Sequence, residues 1–285
     1  MEWLDRLNAA MRYLEAHLDG EIELARMAQL ACCSPFHFQR MFSYLAEVPL
    51  SEYIRRRRMT MAAADLQAGR GRVIDIALKY GYDSPTAFNR AFQGVHGIAP
   101  TEARRPGARL KAYLPLSFYI SVKGEVEMNY RIEQKEAFRI VGVKAHYALS
   151  VEQNFTEIPA FWQQTAQSGA IGRVLVLDSR EPKGLLGVTS SMTGPAFDYY
   201  IAAASDADVP EGMEAFTVPA CTWAIFPCVG AMPHAIQALQ KRIIGEWLPA
   251  SGYEYADAPD IELYFEGDQQ AEDYRCEVWL PVMKK

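Results

Sequence analysis

Along the first third of the chain, apolar residues recur with the 3.6-residue period of a helix. In LDRLNAAMRYLEAHL, Leu4, Leu7, Met11, Leu14 and Leu18 fall on one face, a stripe that ends at Asp19-Gly20. LARMAQLA predicts a short second helix. Ser34 then caps a third, with Pro35 in its first turn, where a missing amide hydrogen does no harm. Phe38, Met41, Phe42 and Leu45 make the core face of that helix; Phe36, Gln39, Arg40 and Ser43 share the opposite face and are expected to point outward. The plan then repeats. VIDIALKYGY gives a short helix and a Gly-containing turn, and Ser84-Pro85 opens a helix with Phe88, Ala91 and Phe92 inward and Thr86, Asn89 and Arg90 outward. Between the copies, LSEYIRRRRMTMAAADLQ has no Gly or Pro and predicts one long connecting helix.

The period changes in a Gly- and Pro-containing stretch near residues 106–125. Beyond it come short β-type runs, YRIEQ, FRIVGVKAHYAL, LGVTSS and FDYYIAAA, then EAFTVPA, TWAIFPCV, IELYFEG and YRCEVWLPV. Amphipathic helices at about 152–167 and 233–248 interrupt them. The pattern predicts a multidomain protein: an all-α double helix-turn-helix domain over 1–107, a linker over 108–125, and an α+β domain over 126–285. The last domain holds a duplicated strand-strand-helix-strand-strand module.

Charge sharpens that division. The formal net charge is −6, yet through Lys111 there are 16 Lys and Arg against 12 Asp and Glu, leaving 13 against 23 beyond it. A basic front joined to an acidic back fits a polyanion-binding domain beside one that takes a different partner. No apolar run approaches the ~18 residues of a membrane span, and the first residues lack the features of a signal peptide. The expectation is a soluble cytoplasmic protein. The five cysteines have no metal-ligand spacing and read as structural, the adjacent Cys32 and Cys33 included. No metal or cofactor is expected.

A short helix, a tight turn and a helix exposing Gln, Asn and Arg on one stripe is the design of a recognition helix in the DNA major groove. The alternative is a helical bundle whose outer polar residues merely face water; duplication at fixed spacing argues against it. Two such helices on a rigid connector suit successive major grooves, ~34 Å apart. The arginines 55–58 point around most of their helix. One or two are expected on phosphates, the others on acids or between the subdomains.

In the acidic half the final strand alternates, with Arg275, Glu277 and Trp279 on one face. If that face lines a cavity, Glu277 is a carboxylate among aromatics: Trp279, Tyr264, Trp223, Phe226, Tyr200 and Trp162. Such a site favours flat or bulky organic cations. The competing reading pairs Glu277 with Arg275 on a solvated edge.

Residues 4–105 resemble the DNA-binding domain of AraC/XylS-family transcriptional regulators through SPFHFQRMF, YIRRRRM, IALKYGYDSPTAFNRAF and GIAPTEARR. The resemblance implies base contacts by Phe36, Gln39, Arg40, Thr86 and Arg90. Three positions depart from the family: Cys32 and Glu47 stand where Gly is usual, and Ala103 where an aromatic is. Residues 128–285 resemble the gyrase-inhibitor-like effector-binding domain of multidrug-responsive regulators through FRIVGV, VPACTWAIFPCVG, AIQALQKRIIGEWLPASGYEY, PDIELYFEGD and CEVWLPV. Here the resemblance maps the pocket acid to Glu277. The implied function is a DNA-binding regulator controlled by a small amphipathic, cationic ligand, acting through a change of orientation or through contacts with RNA polymerase. The alternative, suggested by hydrolases among relatives of the second domain, makes Glu277 a general base on a reactive small molecule. Against it, the chain has no Ser-His-Asp signal and only five His.

Overall fold

The computed structural model describes residues 2–119, 127–148, 151–190 and 196–284. The chain forms two compact units, Met1–Tyr119 and Ile120–Lys285. The first is helical: α1 (Glu2–Ala16), α2 (Leu24–Leu30), α3 (Pro35–Ala46), α4 (Leu50–Gln67), α5 (Val73–Lys79), α6 (Pro85–His96) and α7 (Pro100–Ala103). Helices α2–α3 and α5–α6 are the two helix-turn-helix units, and α4 joins them. Ser34 and Ser84 cap as expected, their hydroxyls accepting the amides of His37 (3.3 Å) and Ala87 (3.4 Å). Leu7, Met11, Leu14, Leu18, Phe38, Met41, Phe42, Phe88 and Phe92 are all buried. Leu4, Leu45 and Ala91 are half-buried.

The turns differ between the copies. Gly81 and Gly97 take left-handed conformations, φ 81° and 78°, after α5 and α6. At the matching places after α2 and α3 stand Cys32 and Glu47, φ 53° and 55°. The first copy therefore carries Cβ atoms where the backbone favours glycine. At Gly81 the constraint is double, since a Cβ there would lie 2.8 Å from Arg58 Nη1.

The second unit runs β1 (Arg131–Lys135), β2 (Phe138–Ala148), α8 (Val151–Gln167), α9 (Ala170–Leu175), β3 (Leu185–Thr189), β4 (Ala196–Ala204), β5 (Glu214–Val218), β6 (Cys221–Val229), α10 (His234–Arg242), a π-helical turn (Ile243–Trp247), α11 (Leu248–Ala250), β7 (Tyr253–Tyr255), β8 (Asp260–Tyr264) and β9 (Arg275–Lys284). The duplicated module is present, with α9 and β7 in addition to the expected elements. The strand order is β1-β6-β9-β8-β3-β4-β2-β5, with β7 beside β9 and the ladders antiparallel. That order is a palindrome of the two modules. β3 and β8 meet at its centre, and each module's first strand pairs into the other module.

Directly opposed residues share a face of the sheet. One face carries Val188, Tyr200, Ile225, Ile261 and Trp279 in a single row, within a buried cluster that includes Trp223. The sheet curls around this face, bringing Phe138 of β2 to 6.5 Å from Trp223 of β6, five strands away in the order. The other face carries Gly187, Glu262, Val278 and Phe226 in a row, beneath the helices.

In the first unit, residues 108–119, expected as part of a linker, run extended across three helices. Each inward-turned amide ends on a side chain: Lys111 on His96 Nδ1 (3.2 Å), Tyr113 on Thr60 Oγ1 (3.1 Å), Leu116 on Tyr53 Oη (2.8 Å) and Phe118 on Asn8 Oδ1 (2.8 Å). The Phe118 carbonyl accepts from Asn8 Nδ2 in return. This strap ties α6, α4 and α1 together without secondary structure of its own.

His96 is the titratable link. Its Nδ1 accepts from Lys111, so the neutral ring carries its proton on Nε2 and donates it to the Met59 carbonyl, 3.0 Å away. Burial holds its pKa below the usual value near 6.5, the Met59 bond works the other way, and the Lys111 charge adds to the lowering. A folded pKa below the unfolded one gives stability that is complete above about pH 6.5 and is lost as pH falls toward the folded value. We expect hydrogen-exchange protection of the Lys111 and Tyr113 amides, corrected for intrinsic rates, to fall with acidification below about pH 6.5. His96→Gln should flatten that slope; an unchanged slope in the variant would remove His96 as its source.

Candidate DNA-reading helices and effector site

The second recognition helix presents its stripe as expected: Thr86, Asn89 and Arg90 are exposed, while Phe88 and Phe92 anchor the helix beneath. The first does not. Phe36 (6% exposed), Gln39 (8%) and Ser43 (6%) are buried, and Arg40 is half-buried with its guanidinium 6.0 Å from the Phe36 ring and 5.7 Å from that of Tyr44. Gln39 Nε2 and Ser43 Oγ meet no hydrogen-bond partner among the described residues. The expectation of an outward stripe on α3 is corrected on this point: helical period separates two faces but does not say that only one is covered.

The four arginines of α4 all have partners within the protein. Arg57 is buried, pairs with Glu15 of α1 (2.6 Å) and donates to the Tyr113 carbonyl of the strap. Arg58 donates to the carbonyls of Leu18 (3.0 Å) and Gly20 (2.7 Å) in the turn that follows α1. Arg55 and Arg56 share Glu52, with Arg56 over the Tyr113 ring. Losing one member of a buried pair such as Arg57–Glu15 costs roughly 3–5 kcal/mol, because the other charge is left behind.

In the second unit the carboxylate that meets aromatics on the helix face is Glu262 of β8, a residue missing from the candidates drawn from sequence. Gln240 Nε2 donates to its Oε1 (2.7 Å); Tyr264 Oη (2.9 Å) and Tyr199 Oη (3.3 Å) donate to its Oε2. Trp162 Nε1 donates in turn to Tyr199 Oη (3.0 Å), and the Trp162 and Tyr264 rings cross edge-on at 5.0 Å. Among the described residues no Lys, Arg or His pairs with Glu262. Burial first, and then the Glu262 charge, push the Tyr264 phenol well above its usual pKa, so it stays a donor. The arrangement is a carboxylate held by neutral donors and walled by aromatic rings. It lacks only a positive charge.

Of the residues singled out from sequence, Trp162 and Tyr264 belong to this cluster. Tyr200, Trp223 and Trp279 do not: they fill the curled face, on the opposite side of the sheet. Phe226 is on the helix face but packs under Trp247 (4.9 Å), apart from Glu262. Glu277 shares the face of Trp279 and is bound bidentately by Arg131, at 2.8 and 3.1 Å, while accepting Trp279 Nε1–H at 2.8 Å. Both readings of Glu277 are thereby corrected: it is paired, and its partner is Arg131 from β1 rather than Arg275. Its strand ends a ladder with β6, which in turn carries β1, so the arginine arrives from 146 positions away in sequence.

A helix-turn-helix front and a duplicated sheet with an acid held by neutral donors among aromatics together define a class, the DNA-binding regulator with a small-molecule domain. Comparison with known proteins agrees. Residues 27–106 match the helix-turn-helix domain model, and residues 128–283 match the model of the GyrI-like small molecule binding domain. The chain belongs to the GyrI-like family, with an AraC-type helix-turn-helix domain in front. It is similar to the transcriptional activator AarP of Providencia stuartii (42% identity over 89 residues, 31% of this chain and 66% of AarP). It is also similar to the right origin-binding protein of Escherichia coli K12 (33% over 144 residues, 50% of this chain and 48% of that protein). The matches thus span two thirds or less of these relatives. The solved structure of SAV2435 bound to tetraphenylphosphonium aligns with 55% of this chain and 94% of its own, at 26% identity and TM-score 0.50. No helix among the described residues is long and apolar enough to cross a membrane.

Gly187 leaves room for the cluster. A Cβ there would lie 2.3 Å from Tyr199 Oη and 3.2 Å from both Glu262 Oε2 and Trp162. Gly187→Ala should therefore push the Tyr199 hydroxyl off Glu262 and cost about 1–3 kcal/mol of stability in a denaturant titration. A variant as stable as the parent would show that the cluster is looser than the geometry describes.

Proposed function

We propose that this protein is a cytoplasmic transcriptional regulator that reads a two-groove promoter site and responds to a lipophilic organic cation bound at Glu262. The observation that carries the ligand class is the Glu262 carboxylate, bonded among the described residues by neutral donors between Trp162, Tyr199 and Tyr264. The tetraphenylphosphonium bound to SAV2435 supports it. The cation replaces no protein charge, so its Coulomb attraction to the acid is uncompensated gain, and the rings supply apolar and cation–π contact. The role is binding without turnover. Signal passes to transcription through orientation of the DNA-binding unit or through polymerase contact.

The DNA side rests on the duplicated helices. Arg90, with Thr86 and Asn89, reads one groove; Arg40, the half-buried member of the first helix's stripe, reads the other. One chain carries both readers, so a monomer suffices and the site has no palindrome.

Two measurements test this reading. Titration with tetraphenylphosphonium and with neutral triphenylphosphine oxide should show Glu262→Gln weakening the cation at least tenfold, about 1.4 kcal/mol, and the neutral compound hardly at all. Equal losses for both would remove Glu262 as the charge reader. In DNA binding, Arg90→Ala and Arg40→Ala should each cost about 1–3 kcal/mol of specific affinity and relax one half of the site. A requirement for palindromic half-sites would contradict the monomer model.

A further inference from the structure

Three sulfur atoms converge behind the Glu262 cluster. Cys228 of β6 and Cys276 of β9 are directly opposed in the antiparallel ladder and both buried. Cys276 Sγ also lies 3.9 Å from Sδ of Met232, itself buried, in the turn between β6 and α10. That turn is pinned. The Met232 amide donates to the Gln269 carbonyl (2.8 Å), its carbonyl accepts from Gln270 Nε2 (3.4 Å), and Gly230 allows the chain to leave β6 at φ 135°. The thioether is thus held against the thiol by backbone bonds on both sides.

The geometry points to a soft-metal site: Cys228, Cys276 and Met232 form a three-sulfur site for a monovalent d¹⁰ ion, Cu(I) or Ag(I). Thiolate and thioether donors select such ions over the harder divalent ones, and three sulfurs in a dry setting give the low coordination number they accept. A thiol pair alone would equally suit a disulfide. The third sulfur, which a disulfide does not use, favours the metal. A metal ion displaces the proton directly. On binding, two thiol protons leave as one cation enters, so the loaded site carries a net charge of about −1. Cys276 is the register partner of Tyr264, which puts that charge beside the effector cluster. The sulfur site stands on its own ligands and does not depend on the effector reading.

The test is anaerobic titration of the full-length reduced protein with acetonitrile-stabilised Cu(I), in competition with bicinchoninate. One ion per chain should be held with an all-sulfur X-ray absorption signature. Cys228→Ser and Cys276→Ser should each abolish it, and Cys32→Ser should not. Met232→Leu, which keeps the volume and removes only the thioether, should leave a two-sulfur site that loses the ion to bicinchoninate at least tenfold more readily. If the serine variants fail to fold, Met232→Leu still decides. Retention unaffected by Met232→Leu, binding that follows Cys32 instead, or a Cys228–Cys276 disulfide forming with dilute hydrogen peroxide while Cu(I) is refused, would each overturn the proposal.

Discussion

The antiparallel pairing of β3 with β8 is the join on which the effector half depends. Each module alone would leave one strand, β3 or β8, as an open edge, and the two edges satisfy each other along Leu185–Thr189 and Asp260–Tyr264. The exchange of β1 and β5 between modules closes the outer parts of the same sheet. Because the join lies at the centre of a palindromic strand order, both helical layers converge above it. α10 delivers Gln240 to the Glu262 carboxylate, and α8 delivers Trp162 to the Tyr199 hydroxyl that donates to the same carboxylate. The position of the acid follows from the topology rather than from any loop.

The DNA-binding half depends on a different constraint, the need to find partners for four consecutive arginines. Arg57 and Arg58 meet this by bonding to Glu15 and to the Leu18 and Gly20 carbonyls in the turn after α1, and Arg57 also reaches the strap. The arginines thus act as ties that set the first unit's α1 against its long connector.

Most of the architecture was legible because its signals are local. Ser-Pro caps, apolar spacing and the strand-strand-helix-strand-strand repeat need only a few neighbours to be read. The effector residues were less so, for two physical reasons. FDYYIAAA sets two tyrosines side by side and runs on into apolar residues without alternation, so its pattern does not settle which of Tyr199 and Tyr200 faces the helices, and a one-residue slip moves a side chain to the other face. IELYFEG does alternate: Ile261 and Leu263 inward, Glu262 and Tyr264 outward, which was a readable sign of Glu262. Glu277 carried the same local signal, but its Arg131 partner comes from a strand added by the module exchange, and no local pattern reports that. The burial of Phe36, Gln39 and Ser43 likewise depends on cover that a helical period cannot express.

Duplication within one chain also explains why these sites take the form they do. A true two-fold dimer would place identical residues at the central pair of its sheet. Two glutamates there would repel, and one would be driven to its neutral form; two glycines would leave no acid. In the fused modules the opposed positions have diverged into Gly187 and Glu262, and the missing side chain of one makes space for the hydroxyl that bonds the other. The helix-turn-helix pair uses the same freedom. Its copies keep the Ser-Pro cap and the arginine, yet one offers Gln39 and the other Asn89, and one turns through Cys32 where the other uses Gly81. In both halves the repeat supplies the scaffold, and the breaking of its symmetry at single residues supplies the chemistry.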